Sequence, residues 1–259
     1  DLTDVTDSVD IENGETRYFD KVMKDSHKNE RTKLSVMQAF EQSSNVGISK
    51  VVNGCYAKNP QAFITRLYKM GFNRPLGIEI YGEGAPEIKN PKDPSWSGTT
   101  LPWMSIGYEL RLTPLQTLTF YNAVANDGKM VKPRFVRELK DKRNVMRKFD
   151  TEVLSTSICS KTTIKKAKKM LEGVVENGTA KFLRNSIYRV AGKTGTAQIG
   201  YGDKTKKLTY QASFVGYFPA DRPKYSCIVV IPARSKEMYY ANIIACPVFK
   251  EVADRVYAT

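Results

Sequence analysis

The sequence predicts an α+β protein, because its hydrophobic spacing changes from helical to strand-like in the last third of the chain. Up to residue 186 the apolar residues recur mostly at helical spacing. From residue 187 three apolar segments follow one another at hairpin distances, and a last helix comes after them. We therefore expect a mostly helical part over residues 1–186, and an antiparallel meander with a C-terminal helix over residues 187–259.

Capping signals support the helices of the first part. Ser35 followed by Gln38 is typical of a capping box, and a polar turn at residues 42–45 separates this helix from the next one. Further helices are predicted over residues 60–72, Thr113 to Asn126 and Thr162 to Glu176. The segment 74–104 is rich in Gly, Pro and Ser, and it predicts a long ordered loop.

Three strands are predicted in the second part, over Ile187 to Ile199, Leu208 to Phe218 and Lys224 to Pro232. The segments GYGDKTKK and PADRP that connect them have hairpin length, so the strands should be antiparallel neighbours. The last helix is predicted over about Cys246 to Val256, around Pro247.

Composition argues against several classes of protein. The 259 residues are enough for a sizeable core, and they contain no apolar run of about 18 residues and no signal peptide. The four cysteines form no CxxC pair, and the single histidine, His27, is far from all of them, which argues against a zinc site. Cys227 and Cys246 lie in apolar runs and are interpreted as buried hydrophobic residues.

The net charge of +14 permits an anionic partner, such as nucleic acid, a membrane surface or an acidic polymer. The alternative is a solvated basic surface, and the same two interpretations apply to the lysines of the predicted helix 162–176. No helix-turn-helix, zinc or aromatic-platform signature accompanies the charge, so we expect no nucleic-acid partner.

Two short motifs carry the chemistry. Ser43-Ser44-Asn45 lies on the polar turn between two predicted helices, and Lys193-Thr194-Gly195-Thr196 lies inside a predicted strand. Each motif alone is too short to be specific. In this order, about 150 residues apart, they match two of the three elements that define penicillin-binding proteins and serine β-lactamases.

The flanking segments make the match specific. VVENGTA (174–180) precedes the Lys-Thr-Gly strand, ASFVGYFPADRPKYSCIVV (212–230) follows it, and SIGYELRLTPLQTLTFYNAVANDGKMVKPRFV (105–136) lies upstream. From about residue 30 to its end the chain resembles the transpeptidase domain of class B penicillin-binding proteins, especially the cell-division type. Glu109 departs from the small residue that is common in relatives. A serine β-lactamase, a β-lactam sensor domain and a non-catalytic division scaffold stay open as alternatives.

The resemblance implies a role for each motif residue. Ser43, Asn45 and Lys193 are expected to be catalytic: Ser43 relays a proton to the leaving nitrogen, Asn45 bonds the substrate amide, and Lys193 supplies positive charge. Substrate binding is expected at Thr194, Gly195 and Thr196. The two hydroxyls would bind the substrate carboxylate, the N–H of Thr196 would form half of an oxyanion hole, and the glycine would admit substrate close to the strand.

The resemblance also implies the reaction and its setting. A serine attacks the penultimate D-Ala carbonyl of a peptidoglycan stem peptide, and an amine on a neighbouring strand takes the acyl group. β-Lactam antibiotics imitate the D-Ala-D-Ala end of that peptide. The resemblance implies no metal and no organic cofactor. It places the catalytic domain outside the cytoplasmic membrane, behind an anchor in the parent protein, with division-complex proteins as candidate partners.

The third motif, Ser-x-x-Lys, is missing, because no serine of the sequence has a lysine three residues later. In the family this motif comes before the Ser-x-Asn turn. We therefore expect a partial domain over residues 1–259, truncated at its N-terminus, that penicillin does not acylate. Its sheet should keep three main strands, with the strand near 224–232 as an exposed edge.

Overall fold

The computed structural model describes residues 3–27, 29–142, 144–199, 209–233 and 239–258. The helices described are α1 (Val36–Glu41), α2 (Asn45–Tyr56), α3 (Pro60–Lys69), α4 (Thr100–Ser105), α5 (Pro114–Ala125), α6 (Lys161–Glu176) and α7 (Ala241–Tyr257). The strands described are β1 (Ser8–Asp10), β2 (Glu15–Tyr18), β3 (Lys21–Lys24), β4 (Lys33–Ser35), β5 (Glu87–Ile88), β6 (Leu110–Arg111), β7 (Met130–Val131), β8 (Glu138–Asp141), β9 (Asn144–Lys148), β10 (Val153–Ser155), β11 (Ala191–Ile199), β12 (Thr209–Phe218) and β13 (Tyr225–Ala233).

The largest sheet in the described ranges is antiparallel, with the strand order β11-β12-β13. Lys193 pairs with Val215 across β11 and β12, and Tyr217 pairs with Ser226 across β12 and β13. The predicted meander of three strands is confirmed, with β11 and β13 at its edges. The other strands form short antiparallel pairs: β1 with β4, β2 with β3, β5 with β6, β7 with β10, and β8 with β9.

Helices cover both faces of this sheet. Phe214 of β12 packs with Phe249 of α7 on one face, and both rings are fully buried. Tyr217 points to the opposite face, where it packs against α5 and α6. This alternation follows from the period of two in a β-strand. The sheet is therefore the middle layer, and pairing with β12 and the helices on both faces fix the position of β11.

Helix caps set the boundaries of the helical part. The predicted capping box of α1 is confirmed, since Gln38 N–H donates to Ser35 Oγ at 3.1 Å and Ser35 N–H donates to Gln38 Oε1 at 2.9 Å. Thr113 caps α5 in the same way. Among the helices that the structure describes, none combines the length and the apolar character needed to span a membrane.

Two predicted boundaries are wrong. The first strand begins at Ala191 and not at Ile187, because Tyr188 leaves the sheet direction to pack in the core and donates to Asp254 at 2.6 Å. The last helix begins at Ala241, five residues before Cys246, with Pro247 inside it. Pro247 deprives the carbonyl of Ile243 of its helical donor, and Ile243 is 47% exposed, so water can replace that bond.

The predicted loop 74–104 is only partly irregular, because it contains β5 and most of α4. Apolar side chains of α4 anchor it, with Leu101 and Met104 buried. The predicted connection 200–207 and Leu208 lie outside the described residues. Cys246 is buried as predicted, whereas Cys227 is only partly buried.

The lysines of α6 have mixed surroundings. Lys165 and Lys169 are exposed, which fits a solvated face. Lys166 pairs with Asp4, and Lys168 pairs with Asp127 at 2.6 Å. The acidic neighbours of these two lysines thus satisfy part of the basic face within the chain itself.

Two glycines let α1 approach the end of α6 closely. A Cβ at Gly173 would lie 1.9 Å from Oε1 of Glu41, and a Cβ at Gly178 would lie 2.0 Å from the Glu41 carbonyl oxygen. Neither position has room for a side chain. The end of α1, and with it the turn that follows, is therefore held directly against the segment after α6.

We predict opposite effects of adding a methyl group at two glycines. Gly178→Ala should lower the free energy of unfolding by about 1–3 kcal/mol, because the backbone of Glu41 cannot give way easily. Gly54→Ala, in α2, has no atom within 4 Å of its Cβ and should raise the free energy of unfolding by about 0.5–1 kcal/mol. Urea unfolding measures both, and equal effects would contradict the close packing at Gly178.

Candidate active site

The turn between α1 and α2 presents Ser43. This residue adopts the left-handed conformation, with φ of +57°, which reverses the chain within three residues. Ser44 then caps α2, since the N–H of Gly47 donates to Ser44 Oγ at 2.9 Å. The predicted polar turn between two helices is confirmed, and its backbone aims Ser43 at the second motif.

The second motif lies on β11, at the open edge of the sheet. The N–H of Gln198 donates to the hydroxyl of Tyr108 at 3.3 Å, away from β12. Because every second N–H along a strand points the same way, the N–H groups of Thr194 and Thr196 also face outward from this edge. A carbonyl or an extended peptide could therefore bond there.

The two motifs meet at one hydrogen bond. Lys193 Nζ donates to Ser43 Oγ at 2.8 Å and to the Thr194 carbonyl at 3.2 Å. The amine also lies 5.6 Å from the centre of the Phe40 ring. Burial lowers the pKa of Lys193 to about 8, so near neutral pH this group can exchange a proton readily.

A third segment, after α6, completes this centre. Thr179 Oγ1 lies 2.6 Å from Thr194 Oγ1, and the N–H of Thr179 donates to the Glu41 carbonyl at 3.1 Å. Thr179 thus connects α1 to β11 beside the Ser43–Lys193 bond. Sequence reasoning used VVENGTA only as family context and missed this contact.

The motif residues line a cleft of about 810 Å³. Ser43, Asn45, Thr194 and Thr196 are on its surface, while Lys193 lies behind it. Asn45 Nδ2 donates to the Lys24 carbonyl at 2.9 Å. Within the described ranges, no three His, Cys, Asp or Glu side chains are grouped closely enough to hold a metal ion.

Gly195 has its closest neighbour on the next strand. A Cβ at this position would lie 2.7 Å from Ser213 Oγ. Because glycine has no side chain, the Ser213 hydroxyl has room beside Gly195 on the neighbouring strand. Close approach of substrate to Gly195 stays a prediction.

Aromatic rings form one wall of the cleft. Tyr239 stacks on Tyr210 at 4.0 Å and on Tyr240 at 4.4 Å between ring centres, and His27 lies 5.6 Å from Tyr240. These residues come from three distant segments. Nothing in their local sequence identifies them as site residues, because only the fold brings them together.

The chain matches the family model "Penicillin binding protein transpeptidase domain" over residues 3–254. It therefore belongs to the penicillin-binding protein transpeptidase family, as the two motifs indicate. This match covers both parts of the fold, the helical part with the Ser43 turn and the sheet with Lys193.

Particular relatives support the assignment. The chain is 30% identical over 240 residues to peptidoglycan D,D-transpeptidase FtsI of Buchnera aphidicola, covering 91% of this chain and 39% of that protein. It is 29% identical over 224 residues to the probable peptidoglycan D,D-transpeptidase PbpC of Pseudomonas aeruginosa, covering 86% and 37%. The chain thus spans less than two fifths of the length of these two relatives.

The fold is also that of a solved transpeptidase domain. The apo structure of the TP domain of penicillin-binding protein 3 from Burkholderia pseudomallei superposes with a TM-score of 0.80 at 24% identity. The match covers 98% of this chain and 72% of the other. The predicted α+β transpeptidase fold is therefore confirmed.

We predict that Lys193 makes stability depend on pH. Its pKa is lowered to about 8 in the folded protein, against a usual value of about 10.4 in an unfolded chain. Between these values the unfolded state binds more protons, so the free energy of unfolding should rise as the pH rises from about 8 to about 10.4. Lys193→Met should remove this rise.

Urea unfolding at a series of pH values tests this, with Lys165→Met on the exposed surface of α6 as the control that keeps the rise. Titration of the lysine side chains by NMR gives the pKa of Lys193 directly. A midpoint above 10 for Lys193 would contradict the buried, weakly basic amine.

Proposed function

We propose that the protein to which this chain belongs is a penicillin-binding D,D-transpeptidase that cross-links peptidoglycan stem peptides. The single observation that carries the proposal is the Lys193–Ser43 hydrogen bond of 2.8 Å, beside an open strand edge in a cleft. The bond joins a weakly basic amine to a hydroxyl next to a surface that can hold an extended peptide. The family supplies the reaction class.

We assign substrate binding to the edge of β11. A stem peptide that ends in D-Ala-D-Ala would add alongside this strand, bonded to its outward N–H groups. Its carboxylate would meet the hydroxyls of Thr194 and Thr196, with the charge of Lys193 nearby. The N–H of Thr196 would bind the oxyanion that forms at the attacked carbonyl, and Asn45 would bond the peptide amide.

The proposed reaction has two acyl transfers. A serine Oγ attacks the carbonyl carbon of the penultimate D-Ala, an ester forms, and the amide bond to the last D-Ala breaks. Ser43, bonded to Lys193, passes a proton to the leaving nitrogen. The amine of a neighbouring stem peptide then attacks the ester, which forms the cross-link and restores the serine. A β-lactam would follow the first transfer and stay as a slowly hydrolysed ester.

The attacking serine is proposed to come from a Ser-x-x-Lys segment of the whole protein. None of the 259 residues offers this motif, and Ser43 is already engaged by Lys193. The chain alone would then bind β-lactams without being acylated by them. We also propose an extracytoplasmic site of action behind a membrane anchor, and division-complex partners, by analogy with the FtsI relatives.

Labelling with a fluorescent penicillin tests this function. The whole protein with its Ser-x-x-Lys segment should be labelled covalently, and the 259-residue chain should not. Lys193→Ala in the whole protein should slow labelling by about 100-fold or more, because it removes the partner of Ser43. Lys165→Ala, on the exposed face of α6, is the control that should keep the full rate. Covalent labelling of the 259-residue chain would contradict the assignment of the nucleophile.

A further inference from the structure

A carboxylate lies directly under the Ser43 turn. Asp25 follows β3 and is partly buried. Its Oδ2 accepts a hydrogen bond from Ser44 Oγ at 2.7 Å, and its Oδ1 accepts one from the N–H of Val46 at 2.9 Å. The N–H of Asn45 also donates to this carboxylate. Three consecutive residues of the turn thus each donate one hydrogen bond to the same carboxylate.

The hydrogen-bond directions around Ser44 are fixed. Its Oγ accepts from the N–H of Gly47 and donates its one proton to the carboxylate of Asp25. A protonated carboxyl group or an amide at position 25 would bring a donor of its own. Facing an N–H of the turn, that donor would remove the bond there. Facing Ser44 Oγ, it could use the second lone pair of the hydroxyl, but the Ser44 proton would lose its acceptor, so at least one bond that Asp25 accepts would be lost.

We propose that Asp25 is the positioning residue of this site, because its carboxylate holds the Ser43–Asn45 turn and so places Ser43 Oγ opposite Lys193. This proposal rests on the proposed transpeptidase function. Ser43 has φ of +57°, a conformation that costs an ordinary residue about 1–2 kcal/mol. Donors on both sides of Asn45 that converge on one carboxylate keep this strained turn in place.

The N-terminal strands act as the frame for Asp25. The N–H of Asp25 donates to the carbonyl of Gly14 at 2.8 Å, and a Cβ on Gly14 would lie 3.3 Å from the Cβ of Asp25. The 3₁₀ turn at Glu12–Gly14 is in turn tied to α2 by the pair Glu12–Lys50. The 3₁₀ turn and the pair of short strands β2 and β3 therefore position one side chain under the catalytic turn.

The ionisation of Asp25 costs stability rather than adding to it. Burial raises the pKa of Asp25 above its usual value, and the hydrogen bonds from the turn only partly offset this. A carboxyl group whose pKa is raised by folding contributes stability at low pH, and this is lost as the pH rises through the raised pKa. The hydrogen bonds that the turn donates to the charged carboxylate are therefore explained by placement of the turn and not by stability.

Other charged groups around Asp25 are accounted for. Lys24 pairs with Glu15 at 2.8 Å, and Lys50 pairs with Glu12. His27 lies on the same loop and contacts Tyr240. A pH dependence that disappears on removal of the Asp25 charge can thus be assigned to Asp25 and not to His27, which that variant keeps.

The test uses the whole protein and the rate of acylation by a fluorescent penicillin between pH 4 and 8. Asp25→Asn should acylate about 10- to 100-fold more slowly than the unsubstituted protein at pH 7, because one or two bonds to a charged acceptor are lost. Its thermal midpoint should be unchanged or higher. In the unsubstituted protein, protonation of Asp25 should lower the rate of acylation as the pH falls. Asp25→Asn should not show this decline.

Asp93→Asn is the matched control. The Asp93 carboxylate accepts from the N–H of Ser95 at 2.8 Å and from Ser95 Oγ at 2.7 Å, the same kinds of bond, in an exposed loop outside the cleft lining. Its rate should stay within about twofold of the unsubstituted protein. Ser44→Ala tests whether Asp25 acts through its hydrogen bond to Ser44. Adding Ser44→Ala to Asp25→Asn should lower the rate of acylation little further than Asp25→Asn does alone.

The outcomes separate the two proposals. A normal rate for Asp25→Asn, fully additive losses with Ser44→Ala, or a slower rate with an unchanged pH profile and a lower thermal midpoint would each overturn the positioning role. Absence of acylation in the unsubstituted protein would contradict the proposed function itself.

Discussion

The amine of Lys193 and the hydroxyl of Ser43 are 150 residues apart in sequence and 2.8 Å apart in space. Ser43 belongs to the turn between α1 and α2, and Lys193 belongs to the edge strand β11, so this contact is made only when the helical part and the sheet are both in place. Thr179 and Glu41 fix the same two elements to each other from beside the bond. The placement of the cleft therefore depends on one hydrogen bond and on the packing that surrounds it.

This centre contains several unfavourable features. Ser43 has a left-handed backbone, burial lowers the pKa of Lys193 and raises the pKa of Asp25, and Glu41 is buried with a raised pKa. Each lowers the stability of the folded state, and such features persist where the surrounding structure over-determines them. Here the sheet, buried between α7 and the α5–α6 layer, provides that support. An amine that is easily deprotonated and a fixed hydroxyl are what a proton relay needs.

Sequence patterns predict the features that depend on residues close together in the chain. The capping box at Ser35, the turn at Ser43 and the three-stranded meander follow from residues close in sequence, and the structure confirms them. The predicted start of α7 is wrong because Pro247 is typical of a first turn, whereas Ile243, whose carbonyl loses its helical donor to Pro247, is 47% exposed and can bond to water. Asp25, Thr179 and the tyrosines of the cleft carry no local signal. Their roles arise from contacts between distant segments, which no periodicity encodes.

A double-mutant cycle on Ser43 and Lys193 tests the central claim most directly. The rate of acylation by penicillin would be measured for the whole protein, for Ser43→Ala, for Lys193→Met and for the double variant. If the two groups act through their hydrogen bond, the double variant should be about as slow as the slower single variant, with a coupling of about 1 kcal/mol or more. Losses that multiply, with no coupling, would show that the two groups act independently and would contradict this account.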